Sequence, residues 1–494
     1  MKSNKTTTFN IRLSLFPVLA LVFLFIIIQH STAQTTAQQR IDQVENSLSE
    51  NLQITGTKAM NLQERMKYYK INGLSIAVIH NYKIDFVKAY GFADSAQNIP
   101  VTNNTLFQAA SISKSLNALA IIKLFHDRKL DLYADINTYL KSWKFPYDSL
   151  SKGKKISTAN LLSHTAGLNV HGFGGYETSS PLPTTIQILN GETPANSRAV
   201  RSVFAPGTHQ QYSGGGITIS QLLLTDITGQ PYEKYLNGEI LKPLAMTGST
   251  FSQPPTGIKK ELFATGYNIG GKEIKGKYHI YPEQAAAGLW TNPTDLARYI
   301  IETQLSLAGS SSKVLDKKNT ELRLTPYMNT DGAALGVFIE DYNGTKYFGH
   351  GGANEGFRSG YYGSMEGGNG LVIMLNSDNG EIIQEIINSV STVYGLKGLN
   401  KTRKITLADV SDKDLDSYLG RYQLTPKLIL TITREGKKVF AQATGQSRIE
   451  AFAETNSKFF FTVIQANMEF IKDSTGAVKE LIFTQGPTLH AKKL

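Results

Sequence analysis

The chain has 494 residues, of which 41% are hydrophobic and 18% charged, a composition typical of a globular protein long enough for two or three domains. The absence of cysteine excludes disulfides, thiolate metal sites and a thiol nucleophile. The net charge of +11 is spread along the chain without a basic cluster interleaved with aromatic residues, so nucleic-acid binding is not predicted.

The N-terminal residues differ in composition from the rest of the chain. Basic residues precede the apolar run Leu13–Ile28, and the small residues at 31–33 suit signal peptidase cleavage before Gln34. This pattern predicts that residues 1–33 are a signal peptide and that the protein is exported, either periplasmic or secreted. The alternative is an uncleaved membrane anchor, although the run is shorter than the ~20 residues that a span requires. No other membrane contact is predicted.

The sequence pattern after the signal segment predicts a helix followed by a β-hairpin. Residues 38–69 are polar with helical spacing and predict one long helix. Two apolar runs, Leu74–Ile79 and Ile84–Ala89, are joined by His80-Asn81-Tyr82-Lys83, which is typical of a β-hairpin. The section from about Leu130 to Ser310 is mainly helical.

A stretch rich in glycine, serine, threonine and proline lies between Gly167 and Thr208. A loop of this length indicates either a substrate-facing segment or a plain surface excursion, and the residues do not decide between them.

From Ala334 onward strands return, and an amphipathic helix with isoleucine and valine on one side follows over residues 382–393. Early strands, a helical middle, late strands and a closing helix predict an α+β domain over residues 38–395. In this fold the two ends of the domain's chain meet in one sheet.

The C-terminal residues have a different pattern. Residues 396–416 pass from basic to acidic and predict a linker, and residues 417–494 contain short alternating strands such as Leu428–Thr433. This spacing indicates a small antiparallel sandwich or barrel without an evident catalytic constellation.

The clearest chemical motif is Ser111-Ile112-Ser113-Lys114, at the start of an apolar helix. Residues three apart share a helix face, so the Lys114 amine can reach the Ser111 oxygen and remove its proton as it attacks. A lysine on the first turn of a buried helix needs a partner or a lowered pKa, and either would suit catalysis.

Two further stretches carry candidate partners for this serine. Tyr212-Ser213-Gly214 precedes a helix, and His350-Gly351-Gly352 ends a strand. The sequence contains neither a Gly-x-Ser-x-Gly elbow nor a His-Glu-x-x-His motif, so an α/β-hydrolase or a zinc protease of that type is not indicated.

Together these stretches resemble the serine β-lactamase and penicillin-binding-protein superfamily, in its class C β-lactamase, D-aminopeptidase and serine esterase branch. Ser111-Ile112-Ser113-Lys114 matches the Ser-x-x-Lys motif, Tyr212-Ser213-Gly214 the Tyr-x-Asn motif and His350-Gly351-Gly352 the Lys/His-x-Gly motif. The resemblance covers about residues 65–395. It implies a β-lactamase/transpeptidase-like α+β fold, in which an antiparallel sheet is flanked by helices and carries a helical subdomain. Residues 410–494 resemble the β-barrel domain, lipocalin-like in form, that is often appended to such hydrolases.

The resemblance implies acyl transfer through a covalent enzyme, without cofactor or metal. Ser111 would be the nucleophile, Lys114 and Tyr212 would share the removal of its proton, and the backbone N–H groups of Ser111 and Ala353 would bind the oxyanion. Because Tyr212 is a poor base near its free pKa of ~10, a neighbouring Lys114 ammonium would have to stabilise the phenolate or pass the proton through it. Glycine at 351 and 352 would leave room for an acyl group against the strand, or would mark a bulge.

Two positions depart from the family pattern. Gly214 replaces the asparagine that orients the acyl amide, and His350 replaces a lysine that commonly binds a substrate carboxylate. A mostly neutral imidazole is a weaker anion site. Both changes disfavour efficient β-lactam hydrolysis and are compatible with esterase or D-amino-acid peptidase chemistry.

Three other histidines lie in or near the stretches that carry the candidate site. His164 is expected to be a packed structural residue, because the three motifs already supply a base. His171 and His209 lie in loops and are candidates to line the cleft, without a predicted role.

The sequence therefore predicts an exported serine hydrolase that acts on a small-molecule ester, a D-peptide or a β-lactam. The alternatives are a penicillin-binding D-alanyl-D-alanine carboxypeptidase, or a non-catalytic binding protein with the same fold. Peptidoglycan is a candidate partner for the C-terminal module.

Overall fold

The protein is described by a computed structural model that covers residue 1 and residues 36–328 and 330–494. Apart from Met1, the predicted signal segment 1–33 lies outside the described residues. The chain divides into two compact units, one formed by residues 1–48 and 60–400 and the other by residues 49–59 and 401–494.

The first unit is built on a seven-stranded antiparallel sheet. Its strands, in spatial order, are Ile99–Pro100, Lys83–Asp94, Gly73–His80, Gly370–Leu375, Phe357–Ser364, Thr345–Asn354 and Phe338–Tyr342. Strands from both ends of the domain therefore meet in one sheet, as the sequence predicts, and the α+β fold is confirmed.

Both faces of this sheet are covered by apolar side chains. In strand Gly73–His80, Ile76 and Val78 belong to one buried cluster while Ala77 and Ile79 belong to the other, because successive side chains point to opposite faces. The closing helix Ile382–Tyr394 packs its isoleucines on the first of these faces, within a residue of the predicted range. The strand consequently reads as a continuous apolar run in the sequence.

The predicted hairpin is present between Gly73–His80 and Lys83–Asp94. Its two loop residues, Asn81 and Tyr82, have φ angles of 51° and 61°. Positive φ at both positions is the requirement of a type I′ turn, whose twist matches that of the flanking strands.

The prediction of one helix over residues 38–69 is wrong. The structure has one helix over residues 36–45 and a second, Leu62–Tyr68, which begins where the Asn61 side chain accepts hydrogen bonds from the N–H groups of Gln63 and Glu64. Between them, strand Leu52–Ile54 pairs in parallel with Arg403–Ile405. A distant strand partner is invisible to a local helical pattern.

In the rest of the first unit most of the regular structure is helical, and long loops join the helices. Its other α-helices are Ser113–Asp127, Ile136–Tyr139, Thr158–Leu162, Thr185–Asn190, Gly214–Thr228, Tyr232–Leu236, Gln284–Ala287, Pro293–Leu307 and Lys317–Leu324, with a π-helical stretch at Asn237–Leu241. Single 3-10 turns occur at Ala110–Ile112, Ser149–Ser151 and Lys260–Leu262. Short strands pair Phe107–Gln108 with Trp290–Thr291 and Tyr176–Glu177 with His279–Ile280.

The second unit contains a closed eight-stranded barrel, which confirms the barrel alternative. The strands are Gly420–Thr425, Leu428–Glu435, Lys438–Ala443, Ile449–Ala453, Lys458–Phe460, Asn467–Lys472, Val478–Thr484 and Thr488–Lys493. Tyr418, at the end of helix Asp412–Tyr418, stacks on Phe470 with ring centroids 4.2 Å apart, within one buried cluster. Residues 396–416, predicted as a linker, carry strand Arg403–Ile405 and the start of this helix.

Within the described residues, none of the helices combines the length and the apolar character needed to cross a bilayer.

Candidate active site

Ser111 lies in the 3-10 turn Ala110–Ile112, directly before the long helix Ser113–Asp127. Ala110 has a φ of 51°, a left-handed conformation that few non-glycine residues adopt. The Ser113 hydroxyl donates to the Ala110 carbonyl oxygen at 2.6 Å and helps to hold this conformation. Ser111 is half-buried between neighbours that are fully buried, and its side chain lines a cleft.

Lys114 lies one turn further along and is only 2% exposed. Its Nζ atom is 2.9 Å from Ser111 Oγ and donates a hydrogen bond to the Ala286 carbonyl oxygen at 2.6 Å. No carboxylate of the described residues forms an ion pair with it, and burial lowers its pKa to about 7. A large fraction of Lys114 is therefore the neutral amine near pH 7, and its lone pair can accept the Ser111 proton.

Tyr212 reaches the same serine from another part of the fold. Its hydroxyl is close enough to the Ser111 side chain for that group to affect its pKa, and the centre of its ring is 5.1 Å from Lys114 Nζ. Burial raises the pKa of Tyr212 to about 12, more than the Ser111 side chain lowers it. The phenol thus keeps its proton at neutral pH, which favours the expected passage of the proton between these groups over a phenolate that acts as the base.

Strand Thr345–Asn354 forms the opposite wall with His350 and the two glycines. A Cβ atom at Gly352 would lie 2.2 Å from the Ala109 carbonyl oxygen, whereas at Gly351 the nearest atom would be 3.9 Å away. Gly352 is therefore required by close packing of the strand on the segment before Ser111. Gly351 has free space, as expected for a position that faces a ligand.

His350 is buried and electrically neutral. Burial, assisted by the nearby Lys114, lowers its pKa to about 3. Its Nδ1 atom is 2.6 Å from the Gly351 carbonyl oxygen, and its Nε2 atom is buried without a hydrogen-bond partner among the described residues. The position that binds an anion in the resembling family here holds an uncharged ring.

His164 packs against the back of Tyr212, as the structural interpretation of the sequence predicts. Their ring centroids are 4.2 Å apart, and His164 Nδ1 accepts a hydrogen bond from the Ser213 N–H at 3.2 Å. Burial lowers the pKa of His164 well below its usual value. This neutral ring fixes the segment that carries Tyr212.

These groups surround a cleft of about 650 Å³. Seven of the eight residues predicted for the site line it, and the exception is Gly214, which the His171 carbonyl oxygen and the Phe173 ring cover at 3.1 Å each from a Cβ built there. Ala353, the residue after the two glycines, is among the seven. The lining residues are Ser111, Lys114, His171, Gly172, Phe173, Gln210, Tyr212, Ala286, Ala287, Phe338, His350, Gly351, Gly352, Ala353, Asn354 and Ser359.

The other lining residues are only partly foreseen by the sequence. His171 lines the cleft as a candidate, whereas His209 is not among the lining residues. Residues 171–173 belong to the stretch Gly167–Thr208, so part of that stretch does face the cleft. Phe338 and Gln210 were not singled out, because an aromatic at a strand start and a glutamine in a turn are ordinary residues locally. Only the tertiary fold brings them to the serine.

Comparison with protein families matches both units. The family model described as Beta-lactamase matches residues 59–385, and the one described as Domain of unknown function (DUF3471) matches residues 407–494.

Among curated proteins, Protein flp of Staphylococcus aureus (strain N315) is 24% identical over 375 residues, which cover 73% of this chain and 69% of that protein. A beta-lactamase of Pseudomonas fluorescens is 30% identical over 281 residues, which cover 56% of this chain and 71% of that protein.

Solved structures share the fold at low sequence identity. The octameric penicillin-binding protein homologue from Pyrococcus abyssi has a TM-score of 0.60 and 22% identity, covering 87% of this chain and 98% of its own. The D-amino acid amidase from Ochrobactrum anthropi SV3, complexed with L-phenylalanine, has a TM-score of 0.55 and 21% identity, covering 72% and 99% respectively.

Proposed function

Because the chain belongs to the beta-lactamase family, a family of serine hydrolases, we propose that it cleaves an ester or amide through an acyl-enzyme on Ser111. One observation carries this proposal: the Lys114 amine lies 2.9 Å from the Ser111 oxygen in a buried setting that lowers its pKa to about 7. A base of that pKa is suited to general-base catalysis near neutral pH.

In the acylation step Ser111 Oγ attacks the substrate carbonyl carbon while its proton passes to Lys114 Nζ. The new C–O bond gives a tetrahedral oxyanion, for which the backbone N–H groups of Ser111 and Ala353 are the proposed donors. Each such donor is typically worth about 3–4 kcal/mol of transition-state stabilisation. Collapse of this intermediate breaks the bond to the leaving group.

The leaving group departs as an alcohol or amine after it takes a proton, either directly from the Lys114 ammonium or from the Tyr212 hydroxyl, which then takes the proton of the Lys114 ammonium. Both routes return Lys114 to the neutral amine. Tyr212 suits the transfer, because its raised pKa keeps the phenol protonated and Ser111 is close enough to its hydroxyl to affect that pKa. Water then attacks the acyl-enzyme, with Lys114 as base, and releases the carboxylic acid and the free serine.

The proposal is tested by intact-mass labelling with a fluorophosphonate. We expect one adduct on the parent and none on Ser111→Ala. Ser310→Ala, which removes an exposed hydroxyl in the same unit, is the control and is expected to be labelled like the parent. An adduct on Ser111→Ala would show that another group is the nucleophile.

The acyl-enzyme mechanism is compatible with several classes of substrate. Short-chain esters and D-amino-acid amides are the leading candidates, and the fold shared with a D-amino acid amidase is compatible with the latter. A panel of p-nitrophenyl esters, D-alanyl amides and nitrocefin ranks these classes. A stable benzylpenicillin adduct on Ser111 would instead indicate a penicillin-binding carboxypeptidase.

We also propose that the protein is exported, on the basis of the composition of residues 1–33. Expression of the full chain in a Gram-negative host, followed by fractionation and N-terminal sequencing, tests this. We expect periplasmic protein that begins at Gln34. A full-length chain held in the membrane fraction would indicate an uncleaved anchor.

A further inference from the structure

We propose that Phe173 is a specificity-determining residue, whose ring packs against an aryl group of the substrate. This preference rests on the proposed function, because it presupposes an acyl-enzyme on Ser111, and it narrows the substrates to esters or amides that carry such a group. Phe173 lies in a loop of the first unit and is one of the residues that line the cleft.

The segment before Phe173 is docked on the start of the helix that begins at Gly214. The Gly214 N–H donates to the His171 carbonyl oxygen at 3.0 Å, and the next N–H, of Gly215, donates to the Val170 carbonyl oxygen at 3.0 Å. Val170 has a φ of 58°, which is rare for a β-branched residue and persists only where surrounding contacts hold it. The fold therefore fixes the backbone that leads to Phe173.

A side chain at position 214 would need the space that this segment fills. A Cβ atom at Gly214 would lie 3.1 Å from the His171 carbonyl oxygen and 3.1 Å from the Cε2 atom of Phe173. Glycine allows such a close approach, because it has no side chain. The Phe173 ring can thus lie against the turn that carries Tyr212, which lines the same cleft as Ser111.

Phe173 presents surface that a ligand can cover. The residue is only half-buried, although it packs on the core of the first unit. Its two neighbours leave room beside it, because a Cβ atom built at Gly172 or at Gly174 would meet no heavy atom within 4 Å. A substrate group can therefore reach Phe173 without a rearrangement of the backbone.

The other walls of the cleft also favour an aryl group. The rings of Tyr212 and Phe338 line it, with centroids 6.4 Å apart and planes inclined by 18°. The amide nitrogen of Asn354 faces inward, because it already donates two hydrogen bonds within the protein. Contacts between aromatic rings are more favourable than the burial of apolar area alone. An aryl group is thus the chemistry that these walls recognise best.

Four esters test the preference on both sides of the scissile bond. Methyl phenylacetate carries the aryl group on the acyl side, benzyl acetate carries it on the leaving group, and methyl acetate has none. Methyl N-acetylglycinate carries an acyl amide instead, and it is included because the amide of Gln210 also lines the cleft. The acid that each ester releases is measured in a pH-stat at about pH 8, where Lys114 is mostly the amine.

For the parent we expect kcat/KM of one aryl ester to exceed that of methyl acetate by about tenfold or more, as the burial of a phenyl group predicts. In Phe173→Ala this ratio should fall by about threefold to tenfold, because the contact between rings is lost. Phe92→Ala removes an exposed ring of the same unit outside the cleft and should keep the parent ratio. Each ratio is taken within one enzyme, so a general loss of activity cancels.

Gly214→Val tests whether the docked segment sets the preference. The added side chain is apolar, so a lower ratio would come from displacement of Phe173 and not from polarity. We expect the ratio to fall toward that of Phe173→Ala, and the double variant to fall no further, because both changes act through one contact. Gly216→Ala is the control from the same glycine run. Its Cβ would be 3.4 Å from the nearest atom, an ordinary contact, and it should keep the parent ratio.

Three results would overturn the role of Phe173. They are equal kcat/KM of the parent for the aryl esters and methyl acetate, a parent that prefers the N-acetylglycine ester to both aryl esters, and an aryl preference that Phe173→Ala leaves unchanged.

Labelling distinguishes these results from a failure of the proposed function. If Ser111 does not react with the fluorophosphonate, the acyl-enzyme mechanism fails. If Ser111 reacts but the four esters show no aryl preference that depends on Phe173, or none of them is hydrolysed, the mechanism stands and the role of Phe173 is wrong.

Discussion

Two buried ionisable side chains of the first unit, Lys114 and Glu283, have strongly shifted pKa values. Lys114 has no ion-pair partner among the described residues, and burial lowers its pKa to about 7. Glu283 is fully buried, neither of its carboxyl oxygens has a hydrogen-bond partner in another described residue, and burial raises its pKa to about 7. Both groups are therefore held toward their uncharged forms, with opposite consequences for how stability changes with pH.

The pH dependence of catalysis should follow Lys114. Its active form is the amine, so kcat/KM for a p-nitrophenyl ester should rise with pH through about 7. Lys114→Arg keeps a charge at this position at all accessible pH values and should lower kcat/KM by a factor of about 100 or more. Initial rates from about pH 5 to about pH 9 provide the measurement. A profile whose rise lies near the ordinary lysine pKa would contradict the assignment.

The free energy of unfolding should depend on pH because the pKa of Glu283 is raised. Between its ordinary pKa of 4.5 and about 7, the unfolded carboxyl is ionised while the folded one keeps its proton. The free energy of unfolding should therefore fall as pH rises through that window, by up to about 3 kcal/mol. Glu283→Gln removes this loss and should be the more stable protein above about pH 7.

Urea denaturation of both proteins at several pH values gives the difference directly, because the other groups titrate alike in the two chains. A difference that does not change with pH would show that Glu283 titrates normally.

At the scale of elements, the site depends on how strand Thr345–Asn354 packs against the turn before Ser111. The Ser359 hydroxyl of the neighbouring strand donates to the Ala109 carbonyl oxygen at 3.1 Å, and Gly352 lies against the same oxygen. The left-handed Ala110 follows directly. The position of the nucleophile is thus set by contact between a strand and a turn.

Gly352→Ala tests this contact. Its Cβ would lie 2.2 Å from the Ala109 carbonyl oxygen, so the backbone must shift, and we expect a loss of about 1–3 kcal/mol in the free energy of unfolding. Gly351→Ala is the matched control, because its nearest neighbour would be 3.9 Å away, and its stability should stay within about 0.5 kcal/mol of the parent. Equal losses in the two variants would contradict the packing argument.

At the scale of the whole molecule, the two units have separate cores. Every residue that lines the cleft belongs to the first unit, and the buried cluster of the barrel runs from Val410 to Ala491 in the second. The second unit is nevertheless discontinuous in sequence, because residues 49–59 contribute the strand that pairs with Arg403–Ile405.

A chain that ends at Asn400 should therefore keep a reactive Ser111. We expect fluorophosphonate labelling to persist, because the truncation removes no lining residue. Circular dichroism checks that the shortened chain is folded. A folded but unlabelled chain would show that the second unit is needed for the reactivity of Ser111. The ratio of the labelling rates of the shortened and full chains measures this contribution.

Local signals in the sequence were sufficient for much of this architecture. The hairpin at Asn81-Tyr82 and the closing helix follow from turn chemistry and periodicity, and the α+β fold with a barrel is confirmed. The single helix over residues 38–69 was wrong because the strand partner of Leu52–Ile54 lies at the other end of the chain. Phe338 and Gln210 were missed for the same reason: their place in the cleft depends on distant segments.

The burial of Lys114 favours catalysis but lowers the stability of the folded protein. A methionine of similar length at that position is not ionisable, so burying it costs no desolvation of a charge. This substitution should raise the free energy of unfolding and should leave Ser111 without its base. Laboratory evolution that rewards heat tolerance alone would then be expected to discard this lysine early. A screen for more thermostable variants should therefore also select for hydrolytic activity in every round.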